Sequence, residues 1–248
     1  MTELELSGLV ALVTGGSRGI GAATVLALAR RGADIAFTFE RNGEKAGEVE
    51  RQVRALGRRA LVMQVDSADP QAVIAAVDRT VEELGRIDIL VNNAGIGTGG
   101  PFGEVTVETF DRLFSIHARA PFFAAQAAAR HMREGGRIIS IGTNMATRVA
   151  GPGLSLYVTS KSAVSGMTRA LARELGAQGI TVNTVDPGST DTDMNPADGP
   201  MAPSQMALNA LGRFGNPEDI AAAVVYLAGP GGRSITGTSI LVDSGFNA

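Results

Sequence analysis

Tyr157 and Lys161 are the residues of this sequence best placed to carry out acid–base chemistry. Residues four apart in a helix share one face, so the two side chains reach the same small space. A free tyrosine titrates near ~10, and a nearby ammonium stabilises the phenolate, so we expect Lys161 to lower the pKa of Tyr157. The same spacing occurs in ordinary amphipathic helices, and the function of the pair therefore depends on what surrounds it.

Short apolar segments alternate with longer segments of helical spacing along the whole chain. The apolar segments lack period-two alternation, which is typical of parallel strands buried between two layers of helices. Right-handed crossovers between them predict an α/β fold, a single-domain Rossmann-type doubly wound parallel sheet of about seven strands with helices on both faces. The predicted strands are Leu9–Val13, Asp34–Phe39, Ala60–Val65, Ile87–Val91, Arg137–Ile141, Thr181–Val185 and Ser239–Val242. The predicted helices are Gly21–Arg31, Glu44–Leu56, Pro70–Leu84, Thr106–Met132, Tyr157–Leu175 and Pro217–Ala228.

The composition excludes several classes of protein. With 248 residues, 44% hydrophobic and 19% charged, the chain can bury a full core, so we expect one domain over residues 1–248. A net charge of −3 gives no general reason to bind nucleic acid or an anionic membrane. The absence of cysteine and the presence of only two histidines argue against a metal site. The chain shows no signal segment, and we expect a cytoplasmic protein.

A glycine-rich turn, Thr14 to Gly21, follows the first predicted strand and precedes a helix. Such a turn lets the backbone approach a pyrophosphate, whose charge is met by free N–H groups and by the helix dipole. The same glycines are also compatible with a tight turn that binds nothing.

Four further motifs accompany this turn: Asn92-Asn93-Ala94-Gly95, Tyr157-Val158-Thr159-Ser160-Lys161, Pro187-Gly188 and Thr192-Asp193-Met194. With them the sequence resembles the short-chain dehydrogenase/reductase family nearly end to end, and most closely its 3-oxoacyl-carrier-protein-reductase-like branch. The resemblance implies an oxidoreductase that binds a nicotinamide dinucleotide at the carboxyl ends of the strands. The residues expected to bind the cofactor are Gly15, Ser17, Arg18, Gly19, Ile20, Gly21, Glu40, Arg41, Asp66, Ser67, Asn93, Ala94, Gly95, Tyr157, Lys161, Pro187, Gly188, Thr190 and Thr192.

The resemblance also implies the catalytic residues. Tyr157 would donate a proton to a carbonyl oxygen, Thr143 would orient that oxygen in place of the family's usual serine, and Lys161 would hold the nicotinamide ribose. At the position of the family's usual asparagine this chain has His117. A neutral imidazole can replace the asparagine as donor and acceptor, but a lone histidine on an apolar helix is also typical of a packed core residue.

These residues together predict a carbonyl reductase that transfers a hydride to a ketone or 3-oxoacyl substrate and yields a secondary alcohol. An NAD-dependent alcohol dehydrogenase is one alternative, and a non-catalytic dinucleotide-binding sensor is another. The segment 188–215 is rich in Gly, Pro, Asp and Ser, and we expect it to be a substrate lid. We expect the loops 96–103 and 144–155 to form the pocket together with this lid. Their residues are small or apolar apart from Arg148, which favours an apolar substrate. Partner molecules are then the small substrate and further copies of the chain, since the resemblance implies a homotetramer.

The choice of dinucleotide depends on opposing charges. An acid about 20 residues beyond the glycines usually marks NAD, and Glu40 lies close to that position. The strand-end position itself holds Phe39, however, and Arg18 and Arg41 can form charge-assisted bonds to a 2′-phosphate. We expect NADP(H), with NAD as the second choice.

Overall fold

A computed structural model describes residues 4–248 and confirms the predicted α/β fold. One sheet of seven parallel strands has the order β3-β2-β1-β4-β5-β6-β7. The strand order reverses beside β1, which pairs with both β2 and β4. In doubly wound sheets the ligand site lies at such a reversal, outside the carboxyl ends of the strands. The strands are β1 Val10–Val13, β2 Asp34–Phe39, β3 Ala60–Gln64, β4 Ile89–Asn92, β5 Arg137–Ile141, β6 Thr181–Pro187 and β7 Ser239–Val242.

The helices cover both faces of the sheet. On β1, Leu12 packs into one apolar cluster and Val13 into the other, which explains why the strands show no polar face in the sequence. Two helix starts follow the predicted capping: the Asp69 side chain accepts a hydrogen bond from Gln71 N at 2.9 Å, and Asn216 forms a capping box with Asp219. The helices are α1 Gly19–Arg30, α2 Gly43–Ala55, α3 Pro70–Leu84, α4 Val107–Phe114, α5 Ala120–Ala129, α6 Ser155–Leu175, α7 Ala202–Leu208 and α8 Pro217–Ala228.

Two segments differ from the sequence prediction. The single helix expected over 106–132 is divided by a π-helical turn, Ser115–Arg119, where the Ser115 hydroxyl donates to Asp111 O at 2.6 Å. The segment 188–215 is not wholly irregular, because it contains the short helix α7. Within residues 4–248, no helix has the length and apolarity needed to cross a membrane.

Candidate active site

The glycine turn after β1 is fixed by the residues that follow β4. The backbone N–H groups of Asn93 and Ala94 both donate to the Thr14 hydroxyl at 3.0 Å. The Asn93 side chain donates to Thr14 O at 2.9 Å and to Gly15 O at 3.0 Å. Asn93, predicted as a cofactor residue, therefore also holds the two loops together at the reversal of strand order.

The glycine turn has no room for a side chain at Gly21, where the backbone passes close to Gly15. A Cβ on Gly21 would lie 2.1 Å from Gly15 O, and Gly15 has a φ of +67°. Helix α1 begins at Gly19, and its N-cap residue Arg18 makes no side-chain capping bond. The first N–H groups of α1 thus face a bare backbone cradle, which fits the pyrophosphate of a dinucleotide.

Three of the predicted catalytic residues meet at the end of β5 and the start of α6. The Lys161 ammonium donates to Ile141 O at 2.8 Å, and the Thr143 hydroxyl hydrogen-bonds with the Tyr157 phenol. Burial raises the pKa of Tyr157, and the bond with Thr143 lowers it by less, so the pKa lies above its ordinary value. The sequence predicts a lowered pKa for Tyr157, and the structure gives a raised one, because desolvation of the phenol outweighs the interactions that lower it. Burial also lowers the pKa of Lys161 to about 8.

His117 lies beside this cluster as a neutral ring. Burial, and then the charge of Lys161, lower its pKa to about 3. Because the Ser160 hydroxyl donates to Tyr157 O at 2.8 Å, we assign Nδ1 of His117 as the donor to Ser160 Oγ at 2.9 Å. Nε2 accepts from Ile96 N at 3.1 Å. Both ring nitrogens are used, so the structure favours the packed, hydrogen-bonded interpretation of His117 over that of a proton carrier.

The charges expected to select the dinucleotide lie in two separate groups. Arg41 is exposed and pairs with Glu40 at 3.2 Å, and Arg112 of α4 also reaches Glu40 at 3.3 Å. Arg18, in contrast, points at Asp193 of the predicted lid, at 3.8 Å.

Lys45, on α2, forms the shorter bridge to Asp193, at 2.6 Å. Lys45 is not among the cofactor residues predicted from the sequence. Its signal is that it lies within the first turn of the helix after β2, close to the expected 2′-phosphate site.

The start of the predicted lid lies over the glycine turn. A Cβ on Gly19 would lie 3.3 Å from Thr192 Cγ2, and the Thr190 hydroxyl donates to Gly188 O at 3.0 Å. Asp66 accepts from Ala68 N at 2.8 Å and lies 3.7 Å from Arg112. The glycine turn, the residues after β4 and the start of the predicted lid thus border one groove at the carboxyl ends of β1 and β4.

Arg148, the one cation that the sequence places in the pocket loops, contacts the C-terminal segment. Its guanidinium donates to Phe246 O at 2.8 Å and lies 5.3 Å from the centre of the Phe246 ring. Asn247 donates to Asn144 O at 3.1 Å. The C-terminal segment therefore fixes the loop that follows Thr143.

Comparison with known proteins agrees with this geometry. Residues 15–247 match the family model described as enoyl-(acyl carrier protein) reductase. The chain belongs to the short-chain dehydrogenase/reductase family. It is therefore an NAD(P)-dependent oxidoreductase.

Members of the family match this chain over nearly its whole length. A short-chain dehydrogenase from Burkholderia cenocepacia J2315, solved in complex with NADP, is 54% identical with a TM-score of 0.97 and covers 98% of this chain and 100% of its own. The cyclic-di-GMP-binding biofilm dispersal mediator protein of Escherichia coli K12 is 44% identical over 98% of both chains. Versicolorin reductase 1 of Aspergillus parasiticus is 40% identical over 97% of both.

Proposed function

We propose that this protein is an NADPH-dependent carbonyl reductase that converts a ketone or 3-oxoacyl substrate to a secondary alcohol. The observation that carries the proposal is the convergence of Thr143, Tyr157 and Lys161 beside the groove. In such a cluster Tyr157 can donate a proton to the carbonyl oxygen of the substrate, Thr143 can hydrogen-bond with the same oxygen, and Lys161 supplies a cation.

The raised pKa of Tyr157 suits it to act as an acid, because the phenol stays protonated at neutral pH until a developing alkoxide takes its proton. The Thr143 hydroxyl orients the carbonyl oxygen and stabilises the charge that develops on it. Lys161 holds the nicotinamide ribose and stabilises the phenolate that remains. A bound nicotinamide supplies the hydride for the carbonyl carbon.

The groove also accounts for the binding of the cofactor. The glycine turn and the start of α1 would hold the pyrophosphate, Asp66 and Ser67 would lie at the adenine end, and the segment from Pro187 to Thr192 would hold the carboxamide.

NADPH is favoured because Arg18 and Lys45 both pair with the Asp193 carboxylate, which shows that two cations can reach one anionic group. Arg41 and Arg112 pair with Glu40 and neutralise its charge. The NADP bound to the Burkholderia relative supports the same choice. Equal kinetics with NADH, or a preference for it, would instead support the NAD-dependent alcohol dehydrogenase.

The substrate class follows from the loops around the cluster. The loops 96–103 and 144–155 are joined by a bond from Gly100 N to Gly153 O at 2.9 Å, and a Cβ on Gly97 would lie 3.4 Å from Met194 Sδ. Six large apolar side chains are exposed on these loops and on the predicted lid 188–215, which favours an apolar ketone or an acyl thioester. They are Phe102, Val149, Met194, Met201, Leu208 and Leu211. The proposal includes a cytoplasmic homotetramer with no nucleic-acid partner.

The test is NADPH oxidation with a panel of activated ketones and 3-oxoacyl thioesters, using Tyr157→Phe as the variant. We expect reduction to be abolished and NADPH affinity to change by no more than a few fold, because a phenol proton contributes little to dinucleotide binding. Tyr226→Phe is the matched control, since Tyr226 is the only other tyrosine and lies exposed on α8. More than a tenth of the activity left in Tyr157→Phe would show that the assigned acid is wrong.

A non-catalytic sensor is the second candidate, because the Escherichia coli relative is named for binding cyclic-di-GMP. The retained tyrosine and lysine argue against it, since a sensor needs no acid with a matched cation. Titration of the protein with cyclic-di-GMP and with NADPH separates the two. Binding of cyclic-di-GMP without turnover of any ketone would favour the sensor.

A further inference from the structure

Asp186, near the end of β6, is a buried carboxyl that the mechanism above does not use. Its side chain is 3% exposed, and Oδ1 has no hydrogen-bond partner among the residues that the structure describes. The oxygen lies directly over the end of β5, because a Cβ on Gly142 would be 2.1 Å from it. A buried polar oxygen without a partner is costly, so its place in the fold requires a reason.

The compensating charge is Lys161, which is 7% exposed and reaches the same end of β5. Its ammonium donates to Ile141 O, the residue before Gly142, and it makes no direct ion pair with Asp186. Asp186 is nevertheless the acid whose charge raises the pKa of Lys161 against the lowering by burial. Two buried charges of opposite sign thus lie next to each other at residues 141–142.

Among the groups around the pair, Asp186 is the one that supplies a negative charge to Lys161. His117 is neutral, with both ring nitrogens engaged, so it supplies no charge to Lys161. Burial raises the pKa of Asp186 to about 6, while the Ser239 hydroxyl, Lys161 and the Thr143 backbone lower it. The carboxyl is therefore ionised at neutral pH.

Behind Asp186 lies a polar cavity of about 390 Å³ that opens to solvent. Ser162, Ser165 and Arg169 of α6 line it together with Ser239 and Leu241 of β7. Arg169 is the one cation among these lining residues. Small solutes can therefore approach Asp186 without passing through the cofactor groove.

We propose that Asp186 is a positioning residue that keeps Lys161 charged during reduction, acting at the end of β5 from the side of the polar cavity. The proposal rests on the proposed reductase function. Reduction needs the Lys161 cation to hold the ribose and to stabilise the phenolate left on Tyr157. Without the carboxylate, Lys161 loses its proton at lower pH, and the fall in reduction rate at alkaline pH begins earlier.

The first test needs no variant and no activity, because the chain contains only two lysines, Lys45 and Lys161. In the cofactor-free protein labelled with ¹⁵N-lysine, nuclear magnetic resonance reports both side chains as the pH is varied. We expect the Lys161 signal to titrate near about 8 and to show a second inflection near about 6, where Asp186 ionises. A Lys161 signal without that second inflection overturns the proposal.

The second test compares Asp186→Asn with Ser165→Ala, which alters the same cavity without removing the charge. We expect Asp186→Asn to lower the Lys161 midpoint by roughly one pH unit and to move the alkaline fall of kcat/KM by the same amount. Ser165→Ala and the Lys45 signal should match the unmodified protein. A Lys161 midpoint that does not move in Asp186→Asn refutes the role.

Chemical rescue separates a charge effect from a folding defect. In Asp186→Ala, added formate can enter through the polar cavity, and it should return the Lys161 midpoint toward that of the unmodified protein, whereas formamide should not. Equal effects of the two solutes, or none, overturn the proposal. Since the lysine signals are measured without substrate, a protein that reduces no ketone refutes the reductase function separately.

Discussion

Replacement of His117 by asparagine is expected to change how the stability of the protein depends on pH. The His117 ring is 1% exposed, and its pKa in the folded protein is about 3, against an ordinary value of 6.5. In the unfolded chain His117 therefore binds a proton below pH 6.5, whereas in the folded protein it binds one only near pH 3. The stability contributed by neutral His117 is present above pH 6.5 and is lost as the pH falls toward 3.

The magnitude follows from the size of the shift. Each pH unit between the two pKa values costs about 1.4 kcal/mol of unfolding free energy, so the full loss is on the order of 5 kcal/mol. Between pH 7 and pH 5 it is about 2 kcal/mol. Asp186 acts in the opposite direction below pH 6, because its raised pKa lets the folded protein bind a proton first. The comparison must therefore be between two proteins that share Asp186.

The assay is urea unfolding followed by circular dichroism at several pH values, for the unmodified protein, His117→Asn and His131→Asn. The stability difference between the unmodified protein and His117→Asn should shrink by about 2 kcal/mol from pH 7 to pH 5. His131 is the only other histidine and lies at the surface beside Asp78, so His131→Asn should follow the unmodified protein. A difference that stays constant over this range would refute the neutral, buried assignment of His117.

Three further predictions concern catalysis, cofactor and assembly. Thr143→Ala should lower kcat/KM for reduction by about ten- to a thousandfold, as expected for the loss of one donor to a developing alkoxide, whereas Thr143→Ser should remain active; similar rates for all three proteins would exclude Thr143 from the reaction. The double variant Arg18→Ala, Arg41→Ala should raise the KM for NADPH far more than the KM for NADH, and Lys45→Ala should add to this effect. An equal rise in KM for both cofactors would show that these cations do not contact a 2′-phosphate. Light scattering should show a homotetramer built through the segment 106–132, which contains α4 and α5, and through α6. A 25.5 kDa species at micromolar concentration would exclude the tetramer.

The sheet could be predicted from the sequence because its central strands are short apolar segments buried on both faces. Three predicted strands, Asp34–Phe39, Arg137–Ile141 and Ser239–Val242, have the bounds that the structure shows. The end of β6 was placed too early, at Val185 instead of Pro187, because Asp186 looks like a residue outside a buried strand. Its burial depends on the approach of Gly142, which no local pattern reveals.

The site was predictable where one motif supplies the chemistry and not where distant segments meet. Tyr157 and Lys161 share a helix, so their spacing alone places them close together, and the resemblance to the family adds Thr143, which lies two residues after β5. The contact of Lys45 with Asp193 joins residues 148 positions apart and depends on where the lid segment comes to lie. The neutral state of His117 likewise depends on Ser160 and Ile96, which flank it only in the folded chain.

The π turn at Ser115–Arg119 makes the number of residues in this helix as important as their types. Such a turn holds one residue more than regular α geometry would. Deleting a single residue there would restore a continuous α-helix in which α4 and α5 keep their faces, because the wide turn absorbs the extra residue. The deletion would instead remove the wide turn that contains His117, whose ring hydrogen-bonds with Ile96 and Ser160. Chimeras with other members of the family should therefore keep this segment whole, whatever residues they exchange on either side.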